Sequence, residues 1–101
     1  MASLFNNMHQ ELLRLEQGKV INHQQQTLGS YDHRGLFNQE GSMLARFEGD
    51  KVFHNTEPRA FASVKEGKVI SFQGTQIGYV LEGDHTDLLA GAAAFYFYCS
   101  N

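Results

Sequence analysis

Gly67-Lys68-Val69-Ile70 is the fourth occurrence of one pattern. Upstream stand Asp50-Lys51-Val52-Phe53, Arg34-Gly35-Leu36-Phe37 and Gly18-Lys19-Val20-Ile21, at steps of 17, 16 and 16 residues. A second set follows inside each unit: Leu28-Gly29-Ser30-Tyr31, Leu44-Ala45-Arg46-Phe47, Phe61-Ala62-Ser63-Val64 and Ile77-Gly78-Tyr79-Val80, at steps of 16, 17 and 16. One extra residue between Val52 and Phe61 reconciles both sets, and it falls where Asn55-Thr56-Glu57-Pro58 supplies turn chemistry. A slip confined to a loop marks true repetition.

Each unit reads as a β-hairpin, because β-branched and aromatic residues flank a short polar connection. Glu40-Gly41 and Gln73-Gly74 mark the internal turns, and Asp32-His33-Arg34-Gly35, Glu48-Gly49-Asp50, Glu66-Gly67 and Glu82-Gly83-Asp84 the outer ones. Eight short strands result. A lone hairpin is marginal in water, so four of them should close around a shared core. The small column Gly29, Ala45, Ala62 and Gly78 suits close approach of a neighbouring strand or helix.

At the start, Phe5, Met8, Leu12 and Leu15 recur at spacings of three, four and three, the stripe of an amphipathic helix with Ser3 as N-cap and Gly18 as stop. At the end, Asp84 or Thr86 can cap an alanine-rich helix that continues through Phe95-Tyr96-Phe97-Tyr98. This last segment is apolar nearly all round and needs cover on more than one side, which a homodimer interface would supply. The expected architecture is therefore α+β: one domain, 1–101, in which four hairpins over 18–84 in pseudo-fourfold arrangement lie between an N-terminal helix over 1–17 and a C-terminal helix over 85–101.

Unit length, unit number and the turn-strand-turn pattern over about residues 18–84 resemble the four-fold beta flower family of small bacterial proteins. The resemblance implies the hairpin fold and assigns no activity. Two places depart from an ideal repeat: Gln24-Gln25-Gln26 replaces a clean turn, and Pro58 enlarges another.

Function is less legible. A net charge of -3 argues against a phosphate-backbone partner, and a nucleic-acid surface would need Tyr31, Phe47 and Tyr79 to face outward. One cysteine, Cys99, can form neither an internal disulfide nor a thiolate zinc set, which fits a reducing cytoplasm. The opening residues lack the basic end and apolar run of a signal peptide, and no segment has the roughly 20 apolar residues of a membrane span. The five histidines fit no local ligand motif, metal binding by His23 with His54 is disfavoured, and no cofactor or metal is expected. Lys19, Lys51 and Lys68 recur at one position but read as solvated guards of strand starts. Asp32-His33 carries no serine signature, and Asp84 with Asp87 suits a helix N-terminus.

One constellation remains. Asn22, Asn38, His54 and Ser71 share a repeat position and would form a polar ring if they face a common axis. The composition and the missing catalytic signature favour a non-enzymatic structural or protein-interaction module that self-associates, a dimer first, and presents its β surface to another protein. The alternative is a small-ligand binder or minor enzyme working through that ring.

Overall fold

The computed structural model describes residues 2–71 and 74–99. It contains ten antiparallel strands: β1 (Ala2–Asn6), β2 (Glu11–Glu16), β3 (Lys19–Ile21), β4 (Thr27–Asp32), β5 (Gly35–Asn38), β6 (Met43–Glu48), β7 (Lys51–His54), β8 (Ala60–Lys65), β9 (Lys68–Ser71) and β10 (Gln76–Leu81). Each pairs with its neighbours in sequence, and β1 also pairs with β10, Leu4 opposite Val80 and Asn6 opposite Gly78, so the sheet closes into a barrel. A helix, α1 (His85–Ala94), follows and continues as a π-helical turn over Phe95–Cys99.

The fold is thus not α+β with a fourfold set of hairpins. It is a five-hairpin barrel, and the expected N-terminal helix is its first hairpin. Leu4-Phe5-Asn6 repeats Leu36-Phe37-Asn38, and Leu12-Leu13-Arg14-Leu15 occupies the second set 16 residues before Leu28. The helical stripe was an accident of hairpin spacing: Phe5 lies on the outward-facing register of β1, Met8 is 76% exposed in a loop, and the buried residues are Leu4, Leu13 and Leu15. Local helix propensity is a weak preference, whereas a helix here would leave the edges of β3 and β10 open.

Fivefold repetition reaches individual positions. Leu4, Val20, Leu36, Val52 and Val69 point inward and are each 0% exposed. Nearer the outer turns, Leu15, Tyr31, Phe47, Val64 and Val80 form a second inward ring. The register within every hairpin also slips once, at Leu12, Leu28, Leu44, Phe61 and Ile77. These five bulge residues pack against the core near the end where the longer loops lie. The outer connections are two-residue turns, and Gln17-Gly18 and Glu66-Gly67 each hold two positive φ values, the geometry that follows the strand twist.

Ten strands enclose more room than their own side chains fill, and α1 fills the remainder. It packs against β1, β2, β4, β5, β7, β8, β9 and β10, and Leu89 through Ala94 are buried all round. Small residues let it fit: a Cβ on Gly91 would stand 2.4 Å from Val80 Cγ2 and 3.6 Å from both Leu15 Cδ1 and Leu4 Cδ1. The barrel wall itself therefore supplies the cover that the sequence suggested a second subunit would give. Tyr31 and Phe47, needed on the outside for nucleic-acid stacking, line the interior instead.

The helix enters at the outer-turn end. Asp84 caps it, its Oδ1 accepting from Asp87 N at 2.9 Å while Asp87 Oδ2 accepts from Asp84 N at 3.1 Å. It ends at the loop end, where Phe95–Cys99 meets the bulge residues; the side chain of Cys99 lies outside the described residues. Among the described residues, no helix is long and apolar enough to cross a membrane.

Candidate functional site

Among the described residues α1 fills the barrel, and the loop end carries the polar groups. In three hairpins the loop is built on an asparagine. Asn6 Oδ1 accepts from the backbone N–H groups of Met8 and Gln10, Asn22 Oδ1 from those of Gln24 and Gln26, and Asn38 Oδ1 from those of Glu40 and Ser42, all at 2.8–3.1 Å. This is the local side-chain-to-backbone bonding at which asparagine excels. His9, Gln25, Gly41 and Gly74 then occupy one equivalent position with positive φ, 64°, 66°, 86° and 83°.

The proposed polar ring takes a different form from the one sequence suggests. It has a fifth member, Asn6, and its carboxamides are engaged in their own loops. Asn38 and Ser71 border separate shallow grooves on the barrel exterior, and His54 lines another cleft. Phe72 and Gln73, next to Ser71, lie outside the described residues.

The fourth hairpin breaks the pattern. From His54 to Ala60 is one residue longer than Asn6 to Glu11, Asn22 to Thr27, Asn38 to Met43 or Ser71 to Gln76. Pro58 fixes φ negative within this stretch, and no described residue of the loop has a positive φ. Its backbone is held from outside instead. Arg46 Nη1 donates to the carbonyls of His54, Asn55 and Glu57 at 3.2, 3.3 and 2.9 Å, while Nε reaches Glu48 Oε2 at 2.6 Å and the guanidinium lies 4.5 Å from the centre of the Phe53 ring.

Behind the loop is a cleft of about 460 Å³ lined by His54, Glu57, Arg59, Ala60, Phe61 and Tyr96. Its wall is aromatic. The Phe61 and Tyr96 rings lie with centroids 4.2 Å apart at a tilt of 31°, and Phe97 meets the edges of both, at 6.0 and 5.0 Å. Phe61 is here because it is the bulge residue of β8, where the other hairpins carry Leu or Ile. The π-helical turn brings Phe97 within 5.8 Å of the His54 ring. Imidazole Nδ1 is sealed from solvent with no hydrogen-bond partner among the described residues, so the ring must reach the cleft through its other atoms.

A profile described as 5-fold beta-flower protein matches residues 2–99. The chain belongs to that family. The resemblance drawn from residues 18–84 was right as to the beta-flower and one hairpin short in its fold number. No curated protein and no solved structure gave a match. For a beta-flower the regular hairpins are the scaffold, and the site stands out as the place where repetition fails. In the sequence the inserted residue and Pro58 mark only an enlarged loop; Phe61 belongs to the repeat and Tyr96 to the terminal segment, and no local pattern shows that the two meet.

Proposed function

We propose that this beta-flower is a non-catalytic binding module that receives a small ligand in the cleft beside His54. One observation carries the reading: three departures of the fourth hairpin from its siblings converge there. The loop is one residue longer, His54 replaces an asparagine cap, and Phe61 replaces an aliphatic bulge residue. The four sibling hairpins close without any of the three. Sites where local regularity is broken without a structural gain are where function is expected.

The size suits a small molecule, and an aromatic wall with few polar groups is the usual composition of such a site. The binding reading is preferred to catalysis because a general base is normally oriented by a third group, and His54 Nδ1 has no such partner among the described residues.

The test is to restore the sibling residues. His54→Asn with Phe61→Leu should keep the barrel, seen as an unchanged circular dichroism spectrum and a cooperative melt. The wild-type chain should gain thermal stability from members of a small aromatic fragment library, and the double variant should not. Equal stabilisation of both proteins by the same fragments would refute the site.

A further inference from the structure

Resting on that reading of the cleft, the end of the plug shows how the aromatic wall is set in place. We infer that Tyr98 is a positioning residue for the cleft: bonded to the second hairpin, it fixes the π turn that brings Phe97 against His54 and Phe61 of the fourth.

Single π turns at the end of an α-helix are rare, and they recur at functional sites. Over Phe95–Cys99 the wider winding turns each later side chain away from where a continuing α-helix would aim it. Two neighbouring residues of the turn then reach two different hairpins. Phe97 stands 5.8 Å from the His54 ring and 6.0 Å from Phe61, centre to centre. Tyr98 donates its hydroxyl hydrogen to Leu28 O at 3.3 Å. Leu28 and Phe61 are the bulge residues of their hairpins, so the turn is gripped at one repeat position twice. A bulge residue drops out of the strand ladder, as Leu28 does where Val20 lies opposite Gly29 and Ile21 opposite Thr27. The next residue leaves room for the phenol. A Cβ on Gly29 would stand 2.4 Å from Phe37 O and 2.7 Å from Tyr98 Oη, whereas the equivalent Ala45 and Ala62 carry one. Burial raises the Tyr98 phenol above its ordinary value, and a desolvated hydroxyl holds to its acceptor because leaving it unpaired is costly. The bond therefore sets the rotation of the turn, and with it the place of Phe97.

Side-chain NMR on the full chain decides it, because the Phe97 ring shifts the resonances of the His54 ring protons only while it stays beside them. Tyr98→Phe should move those resonances and the amides of residues 54–61. It should also weaken the aromatic probes indole, phenol and benzamide, whichever of them bind, by about fivefold, the effect of one neutral hydrogen bond. Tyr31→Phe is the control. It removes a phenol hydroxyl at the other end of the plug, so it should lower stability while leaving the His54 resonances and probe affinities as in the wild type. Measured below the melt of both variants, the comparison separates positioning from a general loss of stability. If Tyr98→Phe leaves either the His54 resonances or the probe affinities unchanged, or if Tyr31→Phe moves them equally, Tyr98 is a structural contact only and the cleft stands. If none of the three probes binds the wild type, the cleft itself is wrong and this inference falls with it.

Discussion

Tyr31 donates its hydroxyl hydrogen to Asp87 Oδ1 across 2.6 Å, tying the barrel wall to the first turn of the helix inside it. Asp87 is also half of the capping box, so one carboxylate serves the helix end and the wall together. Burial, reinforced by the Asp87 hydrogen bond and the nearby negative charges, holds the Tyr31 phenol well above its ordinary value.

Tyr31→Phe should lower stability by about 2 kcal/mol at neutral pH, because a hydrogen bond to a charged group is lost. The phenol titrates higher in the folded state than in the unfolded chain. Its contribution is complete below about pH 10 and disappears as pH rises through the folded-state value. Denaturant melts from pH 7 to 12 should show the wild type losing its advantage over Tyr31→Phe in the alkaline range; a constant gap would contradict this assignment.

Gly91→Ala sets helix propensity against space. Alanine favours a helix by about 1 kcal/mol over glycine, but the new methyl would press on the stiff Val80 side chain, and overpacking costs about 1 to 3 kcal/mol. The variant should be less stable by about 1 kcal/mol. In a Val80→Ala background the same change should become neutral or favourable, a coupling of about 1 kcal/mol in a double-mutant cycle.

Arg46→Ala should release the loop of the fourth hairpin. Removing one donor from three carbonyls should cost about 1 to 2 kcal/mol, and hydrogen exchange at residues 55–59 should accelerate while Asn22 and Asn38 loops stay protected. Arg46→Lys should rescue little, because a single ammonium cannot reproduce the fork.

The apolar terminal segment lies inside its own barrel, and among the described residues the large exposed apolar side chains, Met8, Leu81 and Tyr96, lie apart in a loop, in β10 and in the π turn. Light scattering should therefore find a monomer of 11.4 kDa at micromolar concentration. A stable dimer would point to a surface other than α1.

The hairpins from Gly18 onward could be read from sequence because their side chains alternate at a period set by the pleat. The first hairpin hid because Phe5, Met8, Leu12 and Leu15 satisfy a helical period as well, and only the match between Leu4-Phe5-Asn6 and Leu36-Phe37-Asn38 betrays it. The end segment was legible as a helix but not as a filling, since an apolar surface does not say what covers it. His54 was singled out for membership of a ring; its actual neighbours, Phe61, Tyr96 and Phe97, come from chain closure and the π turn, which no local pattern encodes.

The element that fills the barrel is synthesised after all ten strands of its wall. While the chain emerges from a ribosome, all ten wall strands are present before α1 is, and a wall without its plug has too little to bury. Completion must wait for α1 to leave the exit tunnel, so the barrel is built to assemble in one cooperative step once α1 has emerged, and removing α1 should be felt by every hairpin at once.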